Sequence, residues 1–258
     1  MDLVLDLRCG ISGDMLLGAL LQWYSRDHDK DRFLELISRA ASVQSQTEVW
    51  TRKVERNGKE AKGVFVQWEG LKEGTTSGKN MISYLEQGAG VMGMNERSRR
   101  LARRILMNIL EAEASAHNER GPENVHLHEA GTPDTLVDVL GISYLADLLQ
   151  VDGYWVKATP VSLGKGIQKT AHGVYQIPVP AVRHMIRGLP GRSGPVEGEL
   201  TTPTGIAAAR ALVEIWLEHE RYGDRGEIGG ALLGRGAGER QYGGWFTNML
   251  SIHEVDDR

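Results

Sequence analysis

The sequence has one cysteine, no long run of apolar residues and no long run of charges of one sign. A single cysteine, Cys9, excludes an internal disulfide bond and a cysteine-based zinc cluster, and it suits a reducing compartment. Because no apolar stretch reaches membrane-spanning length, no transmembrane helix is predicted. The chain also begins without the basic and apolar segments of a secretory leader, so we expect a cytoplasmic protein.

Composition and charge narrow the class further. The 258 residues are 41% hydrophobic and 25% charged, with a formal net charge of −4, which is typical of a soluble globular protein. The even mix of charges argues against a dedicated nucleic-acid-binding protein. We expect a single domain over 1–258, with a hairpin subdomain over 44–90 as an option. The 32 glycines indicate many tight turns.

The most informative segment is 125–141. If residues 125–129 are extended, His126 and His128 point to the same side of a strand. Thr132 then caps a helix that begins at Pro133 and runs to about residue 150. The groups expected to converge here, for metal binding or acid–base chemistry, are His126, His128, Glu129, Asp134 and Asp138. The alternative is structural: a half-exposed strand, and carboxylates that only complement the helix dipole.

A second candidate site lies between the first predicted strand, 3–7, and a helix predicted over 14–23. A strand, a glycine-bearing turn and a helix start leave free amide groups that can bind an anion. The spacing here is neither a Walker motif nor a dinucleotide fingerprint. The alternative is that Ser12 or Asp14 only caps the helix.

The remaining pattern predicts a mixed α/β fold with a central sheet, flanking helices and an antiparallel hairpin excursion. Asn57-Gly58, between two β-prone runs, is a strong hairpin signal. Further helices are predicted over 31–41, 81–87, 95–117 and from 203 to about 220, with a polar loop at 70–80 and a strand near 245–252.

Smaller motifs lie where exposed backbone can approach a phosphate or a carboxylate. Lys165 stands between two glycines, and His172 precedes Gly173. Thr202 before Pro203 marks a helix start whose free amides form another candidate anion site. Ordinary turn chemistry explains the glycines equally well.

The order of these motifs along the chain is more specific than any one of them. In sequence they are Gly10-Ile-Ser-Gly-Asp-Met15, His126-Leu-His-Glu-Ala-Gly131 with Asp134 and Asp138, Leu163-Gly-Lys-Gly166 with His172-Gly173 and Pro178-Val-Pro180, Glu199-Leu-Thr-Thr-Pro-Thr-Gly205, and Gly236-Ala-Gly238 with Arg240. This series resembles the nickel-insertion protein family of nickel-pincer cofactor biosynthesis over nearly the whole chain. The resemblance implies a CTP-dependent cyclometallase, a nickel chelatase of the lyase class. Such an enzyme places nickel into a pyridinium bisthiocarboxylate mononucleotide, with Mg or Mn on the nucleotide.

The resemblance also implies roles for individual residues. The implied metal-binding or acid–base groups are His126, His128 and Glu129, with carboxylates from Asp14, Asp134 and Asp138. The residues implied to hold the phosphate or the carboxylates of the substrate are Ser12, Gly13, Lys165, His172, Glu199, Thr202 and Thr204. Imidazole suits nickel, and a neutral imidazole can also accept the ring proton lost when a carbon–nickel bond forms.

Three departures from the family pattern keep other functions open. The place of a histidine-rich tract reads Gly74-Thr-Thr-Ser-Gly-Lys-Asn80, Arg8-Cys9 replaces a Phe-Ser pair, and the family's carboxyl-terminal domain is absent. A separate carboxyl-terminal nickel-insertion subunit that uses CTP is the expected partner. The alternatives are a metal-free cyclase, lyase or tailoring enzyme for a small carboxylated or phosphorylated molecule, and a non-catalytic metal or cofactor carrier. We expect a homo-oligomer that binds neither nucleic acid nor membrane.

Overall fold

A computed structural model describes residues 1–70, 76–170, 173–217 and 227–256. Its helices are α1 (Gly13–Tyr24), α2 (Lys30–Ala41), α3 (Gly78–Val91), α4 (Glu96–His117), α5 (Pro133–Leu148), α6 (Pro180–Met185) and α7 (Pro203–Leu212). Its strands are β1 (Asp2–Asp6), β2 (Thr47–Arg56), β3 (Lys59–Trp68), β4 (Thr76–Ser77), β5 (His126–Leu127), β6 (Trp155–Ala158), β7 (Val161–Ser162), β8 (Gly164–Lys165), β9 (Ile167–Thr170), β10 (Gly173–Gln176), β11 (Gly191–Arg192), β12 (Gly198–Glu199), β13 (Ile215–Trp216), β14 (Ala231–Ala237) and β15 (Met249–Val255). No helix in these ranges has both the length and the apolar character that crossing a lipid bilayer requires.

Seven strands form one mixed sheet in the order β13-β6-β1-β15-β14-β3-β2. β13, β6 and β1 run parallel, β15 is antiparallel to both of its neighbours, and β2 and β3 form an antiparallel hairpin at the edge. At the hairpin turn, Asn57 and Gly58 have φ angles of 51° and 72°, the conformation that this residue pair favours. The predicted mixed α/β fold with an antiparallel hairpin is confirmed.

Helix α1 lies directly on the backbone of β14 because glycines remove the side chains between them. A Cβ on Gly236 would lie 1.8 Å from the carbonyl oxygen of Met15, and a Cβ on Gly234 would lie 2.0 Å from that of Ala19. Only glycine fits at such positions. The contact fixes the first turn of α1 beside the carboxyl end of β14.

The centre of the sheet has two unlike faces, because side chains alternate along each strand. On the side of α1, β1 and β15 contribute apolar side chains to the main core: Leu3, Leu5, Leu250 and Ile252. The opposite side of the same strands carries polar groups: Asp6, Ser251 and His253. One face is therefore closed by helices, and part of the other forms an open concave surface.

Two predicted helices differ in extent from the observed ones. α3 begins at Gly78 rather than at residue 81, because Ser77 caps it by accepting a hydrogen bond from the Asn80 amide at 3.3 Å. The helix thus takes up part of the predicted loop at 70–80, of which residues 71–75 lie outside the described residues. α7 ends at Leu212 rather than near residue 220, because β13 pairs with β6 instead. Residues 218–220 also lie outside the described ranges.

The end of α5 agrees with the prediction to within two residues, whereas the start of the last strand was predicted incorrectly. α5 ends at Leu148 because Gln150 adopts a left-handed conformation with φ 52°. The last strand begins at Met249 rather than near residue 245, since Trp245 belongs to a loop between β14 and β15. This loop contributes to both of the sites described below.

Candidate functional site

Segments that are far apart in the sequence meet at the carboxyl end of β1. Two hydrogen bonds join the turn after β1 to the segment before α7: the Ile11 amide donates to the Leu200 carbonyl oxygen at 2.9 Å, and the Thr202 amide donates to the Ile11 carbonyl oxygen at 3.0 Å. Gly10, with φ 89°, permits this approach, since a Cβ there would lie 2.0 Å from the Leu200 oxygen. The first turns of α5 complete the arrangement.

A pocket of about 360 Å³ lies where these segments meet, and we call it the acidic pocket. It brings together nine of the residues indicated by the sequence: Ser12, Gly13, Asp14, Glu129, Asp134, Asp138, Glu199, Thr202 and Thr204. Glu113, Glu239 and Arg240 also line it, so seven acidic side chains face one basic side chain. This excess of negative charge favours a bound cation.

Asp138 and the first turn of α1 are packed directly together. A Cβ on Gly13 would lie 1.9 Å from Oδ2 of Asp138, so only glycine leaves room for this carboxyl group. Beside it, the Asp14 carboxyl group accepts hydrogen bonds from the Ser12 hydroxyl and, at 2.9 Å, from the Met15 amide. Gly13 therefore brings two carboxyl groups from different helices close together.

Burial makes four carboxyl groups of the acidic pocket hard to ionise, those of Asp14, Asp134, Asp138 and Glu199. Desolvation is the largest cause in each case, and neighbouring carboxylates add to it. Together they raise the pKa of Asp134 to about 7 and that of Asp138 well above its usual value. Desolvation also raises the pKa of Asp14, and it raises that of Glu199 to about 7. A nearby cation would favour the ionised form of each of these groups.

The two histidines of the central segment lie in different environments. The extended part is only β5, and a 3₁₀ turn over Glu129–Gly131 follows His128 directly. The period-two geometry expected over 125–129 therefore ends at Leu127. His126 is exposed, is in register with Ser77 of β4, and does not line the acidic pocket.

His128 lies beside the acidic pocket, in a cavity of about 70 Å³ that shares Glu113 and Glu129 with it. The ring centroid of His128 is 6.4 Å from that of His117 on α4. His117 Nε2 is in turn 3.5 Å from Glu113 Oε2. Across the described part of the chain, no group of three or more His, Cys, Asp or Glu side chains is placed to hold a metal ion.

One other predicted ligand-binding residue lies apart from the acidic pocket. Lys165 is exposed on β8, where it pairs with Gly198, and it does not line the pocket. His172 lies outside the described residues. The roles assigned to His126, Lys165 and His172 stay predictions.

The sequence reasoning missed several residues of the site. His117 follows Glu113 by four positions on a predicted helix, and this spacing, which places both on one face, was the available signal. In the loop after β14, Glu239 lines the pocket, but no short motif singles it out. The guanidinium of Arg56 fastens this loop by donating to the Gly238 carbonyl oxygen at 2.6 Å.

The sequence matches a family model described as nickel insertion protein over residues 3–253. A relative from Methanothermobacter thermautotrophicus is 32% identical over 243 residues, which are 94% of this chain and 56% of the relative. A relative from Dictyoglomus thermophilum is 31% identical over 263 residues, 97% of this chain and 60% of the relative. Both are provisionally named nickel insertion proteins.

A third relative, from Staphylococcus saprophyticus, is named pyridinium-3,5-bisthiocarboxylic acid mononucleotide nickel insertion protein. It is 31% identical over 211 residues, 81% of this chain and 50% of the relative. This chain thus spans about half to three-fifths of the length of the relatives described here. No solved structure matches the sequence.

Proposed function

The chain belongs to the nickel insertion protein family, and on this premise we propose that it acts in the insertion of nickel into a pyridinium mononucleotide. In this proposal it is a cyclometallase or chelatase of the lyase class, located in the cytoplasm. The substrate class comes from the name of the Staphylococcus saprophyticus relative. The observation that carries the proposal is the acidic pocket, in which partly buried carboxyl groups from three segments surround one small space.

A divalent cation is the ligand that the charge of this pocket favours. Carboxylates and imidazole both bind nickel, and here nickel is a substrate to be transferred rather than a resident cofactor. A bound cation offsets the cost of desolvation, so Asp14, Asp134 and Asp138 can ionise around it and release protons. These side chains are not placed as a ready metal-binding group among the described residues. We therefore propose that Asp14, Asp134 and Asp138 rearrange around the ion as it enters, with His128 and Glu129 at the edge of the pocket.

Carbon–nickel bond formation also requires a base. The new bond to the pyridinium ring replaces a C–H bond, so Ni²⁺ enters and one proton leaves. A carboxyl group with a pKa of about 7 is close to half-ionised at neutral pH, which suits it to accept and release that proton. Asp134 and Glu199 meet this condition. Since Asp134 holds the cation in this proposal, Glu199 is the proposed proton acceptor.

The carboxyl groups of the acidic pocket also indicate where the expected nucleotide binds. Carboxylate oxygens suit Mg²⁺ or Mn²⁺ as well as nickel, but the seven acidic side chains of the pocket would repel a triphosphate. If the mechanism implied by the family resemblance holds, we therefore assign CTP to the separate carboxyl-terminal subunit. The hydroxyl groups of Ser12, Thr202 and Thr204 keep their predicted role of contacting the substrate. A homo-oligomer also remains part of the proposal.

Calorimetric titration of the metal-stripped protein with Ni²⁺ tests the proposal. We expect one bound ion, with release of protons that shows as a dependence of the heat on the buffer. The Asp134→Asn/Asp138→Asn variant should bind Ni²⁺ at least about 100-fold more weakly, since even indirect partners of metal ligands are worth about 10–100-fold in affinity. Its far-UV circular dichroism should match that of the wild type.

Glu227→Gln is the matched control, because Glu227 is an exposed acidic residue on the other face of the sheet. It should bind Ni²⁺ within about twofold of the wild type. A wild-type protein that binds no Ni²⁺ would remove nickel from the proposal and favour the metal-free enzyme. Unchanged binding by the double variant would instead move the metal site away from the acidic pocket.

A further inference from the structure

A cavity of about 720 Å³ lies at the opposite end of α5 from the acidic pocket, and we call it the α4–α5 cavity. It is lined by the first half of α4, the last turns of α5, the turn 151–153, β6 and the end of α7. None of its described lining residues also lines the acidic pocket. By Leu217, after β13, the chain has passed to the other face of the sheet, where Leu217 packs with Val4 and Ile228.

Small side chains leave the space that forms the α4–α5 cavity. Ser143 and Ala146 on α5 and Ala211 on α7 are all buried lining residues, and none of them extends more than one atom beyond its Cβ. The other apolar lining residues are Leu101, Val151, Val156, Leu212 and Val213. An apolar lining favours a ligand with an apolar body, and the volume is in the range of about 300–1,000 Å³ that is usual for small-molecule sites.

The hydroxyl group of Ser143 is the feature that points to a ligand. Ser143 is fully buried, with 0% of its surface exposed, and its Oγ has no hydrogen-bond partner among the described residues. The other serine of the lining, Ser98, differs because its hydroxyl group donates to the Asn95 carbonyl oxygen at 3.1 Å. Most buried polar groups are paired, because an unpaired one is costly. A polar atom of a bound ligand would supply the partner that Ser143 lacks.

The charged side chains at the rim leave an excess of positive charge. They are Arg97, Arg100, Arg104, Asp147, Asp152 and Glu214. Arg97 holds two of the three acidic groups, since it pairs with Asp147 at 3.5 Å and with Asp152. Arg100 and Arg104 are exposed, and within the described ranges neither forms an ion pair or a side-chain hydrogen bond. Two unpaired guanidinium groups therefore stand against one remaining carboxylate.

The positions of these groups indicate the shape of the ligand. Arg100 and Arg104 are four residues apart on α4, so their side chains project from the same side of the helix. A guanidinium group suits a carboxylate, and an excess of one positive charge suits a singly charged anion. Because the guanidinium groups are exposed and the Ser143 hydroxyl is buried, a ligand that reaches both has its anionic group at the mouth and a second polar group inside.

We propose that the α4–α5 cavity binds a small carboxylate with an apolar body and a second polar group. The carboxylate contacts Arg100 and Arg104, the apolar body covers the lining, and the second polar group pairs with the Ser143 hydroxyl. This proposal goes beyond the proposed function and does not rest on it, because the binding needs neither nickel nor the acidic pocket.

The probe for this site is 8-hydroxyoctanoate, and octanoate and octanol are its matched controls, since each of them lacks one of the two polar groups. Its flexible chain lets both ends reach their partners. Titration of the metal-free protein, followed through the NMR signals of each compound, measures the dissociation constants. We expect 8-hydroxyoctanoate to bind at least about fivefold more tightly than either control, the effect of about one hydrogen bond or charge contact.

Ser143→Ala tests the inner contact. It should remove the preference for 8-hydroxyoctanoate over octanoate and should leave the affinity for octanoate within about twofold of the wild-type value. Since alanine is a better helix former and the hydroxyl group has no described partner, the free energy of unfolding should not fall. A variant of lower stability would show that the protein itself pairs this hydroxyl group, which would overturn the proposal.

Arg100→Gln/Arg104→Gln tests the contact at the mouth, at two exposed positions where folding is not at risk. It should weaken octanoate binding by about fivefold and leave octanol binding within about twofold of the wild-type value. Arg120→Gln/Arg187→Gln is the control, because it removes two exposed charges outside the cavity lining, and it should bind all three compounds like the wild type.

Two further outcomes would overturn the proposal. Equal affinity of the wild type for 8-hydroxyoctanoate and octanoate would mean that water pairs with Ser143 as well as a ligand does. Equal losses of octanoate affinity in the two double arginine variants would mean that the carboxylate responds only to the overall charge. Asp134→Asn/Asp138→Asn should bind 8-hydroxyoctanoate like the wild type, which separates failure of this site from failure of the nickel site.

Discussion

On the face of the sheet away from α1, a cleft of about 1140 Å³ is lined, among the described residues, by four basic side chains (Arg8, Lys59, Arg192 and Arg235) and two acidic ones (Asp6 and Glu227), and we call it the basic cleft. The acidic pocket and the basic cleft are built from the same three segments, 8–14, 192–200 and 238–248. Their described lining residues nevertheless carry opposite excess charge. The difference arises over a few residues within each segment. In the turn after β1, Arg8 lines the cleft and Asp14 lines the pocket. In the segment 192–200, Arg192 lines the cleft and Glu199 lines the pocket. Because side chains alternate along strands and the chain reverses at turns, one set of loops presents both a cationic and an anionic surface.

Burial acts on the two sites in opposite directions. It raises the pKa of Asp134 in the pocket and lowers the pKa of Arg235 in the cleft. In both cases desolvation acts against the charged form of the side chain, and a ligand of the opposite sign would act in its favour.

The largest effect on stability is expected for a substitution at the contact through which α1 closes one face of the sheet. Gly236→Ala would place a Cβ 1.8 Å from the Met15 carbonyl oxygen and 2.7 Å from the Ala19 amide nitrogen. Because both are helix backbone atoms, α1 must move, and we expect a loss of about 3 kcal/mol or more in the free energy of unfolding. Denaturant unfolding followed by circular dichroism measures it.

Gly243→Ala is the matched control. Gly243 is exposed in the loop after β14, and a Cβ there would meet nothing within 4 Å. Its unfolding free energy should stay within about 0.5 kcal/mol of the wild-type value. If the two variants were equally stable, α1 would not be held by backbone contact, and the closed and open faces would not be fixed as described.

The acidic pocket was more predictable from the sequence than the basic cleft, for a physical reason. Asp14, Asp134 and Thr202 lie at helix starts, where capping residues and an early proline mark the local structure, so their convergence could be proposed from short motifs. Arg192 and Arg235 lie on separate strands, and only tertiary pairing brings them to one cleft. Long-range register leaves no local signal that a single sequence can show.

The same distinction explains the secondary-structure errors. The hairpin at Asn57-Gly58 follows from local φ preferences, and it was found. The end of α7 depends on the distant pairing of β13 with β6, and it was predicted about eight residues too late. His128 was expected to share a strand side with His126, but the 3₁₀ turn that follows it depends on how the segment joins α5.

A smaller effect should appear in the pH dependence of stability. Because the pKa of folded Asp134, about 7, is above its unfolded value near 4, the folded state binds more protons. The wild type therefore loses stability as pH rises towards about 7, and Asp134→Asn lacks the part of this loss that Asp134 contributes. From about pH 5.5 to about pH 8, the stability of the variant relative to the wild type should rise by about 1–2 kcal/mol.

Denaturant unfolding of metal-free protein at the two pH values measures this difference. Glu35→Gln, at an exposed position on α2, is the control and should track the wild type at both values. A relative stability of Asp134→Asn that did not change with pH would mean that water reaches this carboxyl group freely. The acidic pocket would then lack the desolvation for which we compare it with the basic cleft.

The smallest expected effect separates the two histidines of the central segment. His128 adjoins the acidic pocket through Glu113 and Glu129, whereas His126 is exposed on β5. We expect His128→Ala to weaken Ni²⁺ binding by about tenfold, the size of effect seen when a partner at the edge of a metal site is removed. His126→Ala should stay within about twofold of the wild type, by the same calorimetric titration.

The pair is informative because the substitutions are chemically identical and only two residues apart. Equal losses of Ni²⁺ affinity would show that His126 moves into the pocket when the metal binds and that β5 rearranges. The strand geometry predicted from the sequence, with both histidines on one side, would then apply to the metal-bound protein. A loss in His126→Ala alone would place the ion on the outer side of β5, away from Asp134 and Asp138. Only the expected order, with the larger loss in His128→Ala, keeps the metal at the acidic pocket.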